Sequence, residues 1–150
     1  ASTFTNRGLV YIYMKNYTSA ASDFDKALEL DPQNMDLLEK RAYVLYLLNK
    51  MEEAIRDYDK LISLNPGKTQ LFLNRGIARI YIGIPKEAIE DFNIIIQREP
   101  KNGKAYFFLS TCYNQLGENS IALMNAEKAL QSGYNIDSKY LEQLRGALKK

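Results

Sequence analysis

The sequence predicts an all-α fold, a solenoid of four helical hairpins closed by a C-terminal capping helix. Three observations carry this. Pro32, Pro66 and Pro100 recur every 34 residues. Alanine stands at the twentieth place of each 34-residue block, as Ala20, Ala54, Ala88 and Ala122. Apolar residues recur at spacings of three and four, which places one apolar stripe on each of two helices per block.

The blocks run 1–34, 35–68, 69–102 and 103–136, followed by a cap at 137–150. The fourth place reads Phe4, Leu38, Phe72, Tyr106, and the twenty-fourth reads Phe24, Tyr58, Phe92, Ala126. The eighth place is always small: Gly8, Ala42, Gly76, Ser110. Helices of one hairpin approach closely where a side chain is nearly absent. Each proline ends a second helix, because it lacks an N–H and disfavours helix in the residue before it. Helices are expected at 2–14, 17–30, 35–48, 51–64, 69–82, 85–98, 103–116 and 119–131. Pro85 opens one of them, where its missing N–H costs nothing.

The fourth block has Tyr134 in place of proline and is expected to end on Gly133 in a left-handed C-cap. Asp137 is the expected N-cap of the last helix, with Ile136 packing on Leu141. Tyr140, Leu141, Leu144, Ala147 and Leu148 form its apolar face, and Lys139, Glu142, Gln143, Arg145 and Lys149 its polar one. A stack of hairpins needs such a polar-backed helix over its last apolar face. The N-terminus shows no matching cap, so removal of earlier repeats, or a partner or second copy over Phe4 and its neighbours, is expected. Ala1 in place of an initiator methionine points to a fragment or processed form, with the cytoplasm the favoured compartment.

The 34-residue unit, with bulky, small, alanine and proline residues at these places, resembles the tetratricopeptide repeat over residues 1–136. That resemblance implies right-handed stacking of the hairpins and a concave face lined by the first helix of each. It also implies a protein-binding adaptor rather than an enzyme. On residues placed as in that family, the candidate partner groove is Asn6, Leu9, Ile12 and Tyr13; Glu39, Lys40, Tyr43, Tyr46 and Leu47; Leu73, Asn74, Ile77, Ile80 and Tyr81; and Lys104, Phe107, Phe108, Thr111 and Asn114. This face is rich in aromatic and aliphatic side chains, which commonly mark partner sites; packing between neighbouring first helices is the competing use for them. The family's carboxylate clamp, mapped onto the first three repeats, meets Thr5, Leu9, Lys40, Gln70 and Asn74 and fails; mapped onto repeats 2–4 it meets Glu39, Tyr43, Asn74, Lys104 and Phe108, of which only Asn74 and Lys104 match. An extended segment or helix with apolar anchors suits the groove better.

Arginine and aspartate vary together between repeats. The seventh place is Arg7, Arg41, Arg75 and then Leu109; the twenty-third is Asp23, Asp57, Asp91 and then Asn125. Structural ion pairs between adjacent helices are expected, within a repeat or across its boundary.

Composition excludes much else. The net charge is +2, with 20 basic against 18 acidic residues, which gives no field for nucleic acid. Lys149 and Lys150 read as a solvated end. There is no histidine and one cysteine, Cys112, so histidine-based catalysis, an intrachain disulfide and a four-thiolate zinc site are absent. Cys112 reads as a small buried hydrophobe. No apolar run is long enough to span a bilayer. No catalytic residue, metal site or cofactor is expected. The leading reading is a non-enzymatic scaffold that holds a peptide or helix of a partner protein. Its rivals are a self-assembly module acting through the uncapped first hairpin, giving homo-oligomers, and the interaction region of a larger enzyme.

Overall fold

The computed structural model describes residues 2–148; Lys149 and Lys150, read above as a solvated end, lie outside them. Among the described residues there are nine α-helices and no strand. They are α1 (Ser2–Tyr13), α2 (Tyr17–Leu30), α3 (Met35–Leu47), α4 (Met51–Leu64), α5 (Thr69–Tyr81), α6 (Pro85–Arg98), α7 (Gly103–Gln115), α8 (Asn119–Gln131) and α9 (Ser138–Ala147). The fold class is all-α. No helix is long and apolar enough to cross a membrane.

Local chemistry ends each helix. Asp31, Asn65 and Glu99, each before a proline, turn to extended ψ values of 80°, 78° and 76°. Each still donates its N–H to the carbonyl four residues back. The side chains of Asn34 and Asn102 then accept from Leu37 N and Ala105 N, capping α3 and α7. Asn16 caps α2 in the same way. Inside the hairpins the turn residue Lys15, Asn49, Gly83 or Gly117 takes a positive φ of 58–78°. First helices therefore stop one residue earlier than the apolar pattern suggests. Gly133, at φ 81°, closes α8, with Tyr134 N donating to Ala129 O.

The chain resolves into two compact units that meet at Leu71 and Phe72, inside α5. The first unit buries Ala20, Phe24, Ala27, Leu37, Leu38, Ala42, Val44, Ala54, Leu61 and Leu71. α2 packs on both α1 and α3. The second unit buries Phe92, Ile95, Ala105, Leu109, Cys112, Ala122, Ala126 and Ala129. Its small eighth residue has a steric cause: a Cβ on Gly76 would lie 2.6 Å from Phe92 Cζ.

α9 packs on α8. Ile136 and Leu144 are buried, and Tyr140 and Leu141 lie against the same cluster. Asp137 accepts from Lys139 N as the N-cap. Ala147 and Leu148, assigned above to the covering face, are instead exposed. Tyr140, Leu141 and Leu144 complete the contact, and Leu148 is already the C-cap.

Candidate functional site

The arginines of the seventh place meet the aspartates sixteen residues later, so each pair lies within one hairpin. Arg7 Nε and Nη2 donate to the two oxygens of Asp23, both at 2.7 Å. Arg41 holds Asp57 in the same fork at 2.8 and 2.5 Å. Arg75 Nη2 donates to Asp91 Oδ1 at 2.5 Å. The three aspartates are buried, at 2%, 3% and 0% exposure. Parallel N–H···O bonds of this kind are the strong form of an ion pair. Where the fourth repeat has Leu109 and Asn125, Asn125 Nδ2 donates to Ile121 O instead.

Two members of this network were not visible in the pairing pattern. Arg41 Nη1 also donates to Asp25 on α2, tying one hairpin to the next at 2.8 Å. Arg79, on α5 one turn after Arg75, directs Nη1 to Asp91 Oδ2 at 2.8 Å and to Glu87 O at 3.1 Å. Asp91 thus accepts from two guanidiniums. The Arg7 fork holds the Asp23 carboxyl below its ordinary pKa, and the same bond raises that of Arg7.

The candidate groove residues fall into two groups. Leu9, Tyr13 and Tyr43 of the first unit are 41%, 89% and 53% exposed, and Tyr81 of the second is 62% exposed. Asn6 and Lys104 are also exposed, whereas Tyr46, Asn74 and Ile77 are half-buried. Lys40 donates to Asp36, one helical turn away. Glu39 accepts from Lys68 Nζ at 2.5 Å.

The other aromatics are drawn into packing. Phe108 stacks on Phe92 with centroids 5.5 Å apart. Phe107 lies among Phe108, Tyr134 and Tyr140, at 5.4, 5.2 and 5.9 Å. Tyr134, standing where the earlier repeats have proline, covers Phe107 and also accounts for Gly103, whose Cβ would fall 2.7 Å from Tyr134 Cβ. Thr111 turns its hydroxyl back to Phe107 O. Leu73, placed in the groove by register, is 5% exposed and belongs to the core of the second unit. Ser110, chosen for smallness at the eighth place, also bonds Tyr140 Oη at 2.9 Å and so anchors α9 to α7.

Catalytic chemistry finds little here. Burial pushes the Cys112 thiol up to about 12, so it is neither a nucleophile nor a ready ligand at neutral pH. Among the described residues no group of three or more cysteine or acidic side chains could hold a metal ion.

Comparison with known proteins follows the repeats. Two tetratricopeptide repeat family models match, at residues 1–34 and 36–68. A Dictyostelium discoideum protein, the STIP1 homolog, is 42% identical over 53 residues, covering 35% of this chain; the match spans only 9% of that relative. Among solved structures, MamA MSR-1 C2 superposes with a TM-score of 0.80 at 21% identity, covering 87% of this chain and 75% of that one. MamA 41-end from Desulfovibrio magneticus RS-1 gives 0.79 at 16%, with 87% and 74% covered. The first TPR of Spaghetti (RPAP3), bound to the HSP90 peptide SRMEEVD, gives 0.66 at 27%, with 76% and 90% covered. With the 34-residue hairpins, the small-residue contacts and these matches together, the chain belongs to the tetratricopeptide repeat family.

Proposed function

We propose that this chain is a non-enzymatic protein-interaction scaffold whose first helices bind an extended segment or helix of a partner protein through apolar anchors. The observation that carries this reading is the exposure of Leu9, Tyr13 and Tyr43 on α1 and α3. Leu9 and Tyr43 hold the same place in successive repeats, on helices that both pack on α2. The core of the unit is complete without them. Exposed aromatic side chains give large contact area at low conformational cost, and such residues dominate binding energy where they are buried by a partner. Tyr81 is the corresponding anchor of the second unit.

Peptide binding by the RPAP3 domain supports the ligand class. The ligand chemistry differs here. Of the clamp places within the first unit, occupied by Thr5, Leu9 and Lys40, only Lys40 is cationic, and it is paired with Asp36. A segment with bulky apolar side chains therefore fits better than an acidic chain terminus. The test is selection of displayed random peptides on the whole chain. Enrichment of sequences with spaced aromatic or aliphatic residues supports the proposal. Enrichment of acidic C-terminal sequences, or no enrichment, overturns it.

A further inference from the structure

A cleft of about 370 Å³ opens on the second unit, between the α6–α7 turn and the end of α8. Pro100, Lys101, Tyr106, Lys128, Gln131 and Ser132 line it, and it shares no residue with the first-helix face. Pro100 and the half-buried Tyr106 ring make its apolar side. Lys128 Nζ stands 5.6 Å from the centre of that ring, whose face attracts the ammonium and holds it at the cleft.

Neither Lys101 nor Lys128 has a carboxylate partner among the described residues, and the Gln131 amide and Ser132 hydroxyl are equally unmatched. The neighbouring acids are engaged elsewhere. Glu99 accepts from Asn102 Nδ2 at 2.7 Å, and Glu127 faces Arg145 at 4.0 Å. The last carbonyls of α8 accept from the N–H groups of Ser132, Gly133 and Tyr134, which takes them up before they can oppose an anion.

The first unit carries the equivalent cleft with a different charge. Pro32, Leu38 and Lys60 hold the places of Pro100, Tyr106 and Lys128 there. Asp25, Glu29 and Arg41 complete the lining, and Arg41 Nη1 donates to Asp25. Two acids thus balance two bases within that cleft. In the second unit the uncharged Asn93, Gln97 and Leu109 take the places of Asp25, Glu29 and Arg41, and Lys101 stands where the first unit has Gln33. Two positive charges therefore face one opening with no acid in its wall.

We infer that this cleft is a site for a phosphorylated side chain of a partner protein. A phosphate monoester carries about −1.5 to −2 charge at pH 7 and three acceptor oxygens. The two ammonium groups match that charge, and the Gln131 amide and Ser132 hydroxyl supply further donors. A carboxylate, with a single charge, leaves one ammonium unmatched. Pro100 and Tyr106 cover the carbon atoms beside the phosphate. The site goes beyond the apolar anchors of α1 and α3 and does not depend on them.

The probe is an acetylated and amidated peptide of four glycines around a central phosphoserine, titrated into the whole chain and followed by NMR. Saturable shifts at Tyr106, Lys128 and Ser132 are expected, with none from the unphosphorylated peptide. Lys101 and Lys128 are both exposed, so Lys101→Ala/Lys128→Ala should keep its melting temperature and weaken binding about tenfold or more. Lys60→Ala, in the cleft of the first unit, should leave binding unchanged. Absence of saturable shifts at the cleft, or equal affinity in the double variant, overturns the inference. An equal loss in Lys60→Ala would reduce binding to general charge attraction and overturn it too. Inorganic phosphate binding as tightly as the peptide would give the cleft to the free ion and likewise overturn it.

Discussion

Arg41 joins two hairpins of the first unit: its Nε and Nη2 hold both oxygens of Asp57 at 2.8 and 2.5 Å, while its Nη1 reaches Asp25 at 2.8 Å. The partners are unequally placed, with the Asp57 side chain 4% exposed and that of Arg41 25% exposed. The carboxylate is therefore the group that depends on the pair.

Arg41→Ala should destabilise the chain by about 3–5 kcal/mol, because it leaves a buried charge uncompensated. Asp57→Asn, which keeps the shape and lets Arg41 turn to solvent, should cost about 1–3 kcal/mol. Urea unfolding of both variants measures the difference. Equal losses would mean that burial of the carboxylate does not decide the energetics.

The Asp23 carboxyl titrates below its ordinary value of 3.8 because Arg7 bonds its charged form. A depressed folded pKa contributes stability above the unfolded pKa, and that contribution is lost as pH falls through the folded value. Asp23→Asn should therefore be less stable than the wild type at pH 7, with the gap closing below about pH 4. Thermal melts between pH 2 and 7 would show the two curves converging; a gap independent of pH would contradict the pairing.

Gly76→Ala should destabilise by about 1–3 kcal/mol, since the new methyl meets the fully buried Phe92 ring. Gly146→Ala in α9 is the control. Nothing lies within 4 Å of its Cβ, and removing glycine from a helix should add about 0.5–1 kcal/mol.

Lys15 occupies a left-handed turn at φ 58°, where the third and fourth repeats have Gly83 and Gly117. Lys15→Gly should raise stability by roughly 0.5–1 kcal/mol, the relief of a Cβ clash offset by the greater freedom of glycine when unfolded. Asn49→Gly should do less, because asparagine tolerates this region. Denaturant midpoints of the two variants compare them directly.

Much of the fold was legible because it repeats. Proline at 34-residue intervals, Ala20 and its equivalents, and the small residues facing Phe24 and Phe92 each have one packing cause, met several times. The positive-φ turn escaped notice because Lys15 and Asn49 hide a backbone requirement that only Gly83 and Gly117 display. The caps at Asn34 and Asn102 were readable from asparagine just before an apolar helix, but the proline signal beside them dominated.

The candidate site was less legible. Register assigns a side chain to a helix face without saying what a neighbouring ring takes up. Phe107 and Phe108 share the places of Leu73 and Asn74 in the preceding repeat, yet Tyr134, Tyr140 and Phe92 draw them into packing. For the same reason Phe108 is a poor site at which to probe binding, since its removal would also unpack Phe92. Tyr13 and Tyr43 can be changed with little loss of packing.

The most direct measurement is the affinity of a display-selected peptide for the wild-type chain and for Tyr13→Ser/Tyr43→Ser, with the folded state of both checked by thermal melting. A loss of about 2 kcal/mol or more, roughly thirtyfold in Kd, is expected at an unchanged melting temperature. Unchanged affinity in a folded double variant would contradict peptide binding on the first-helix face.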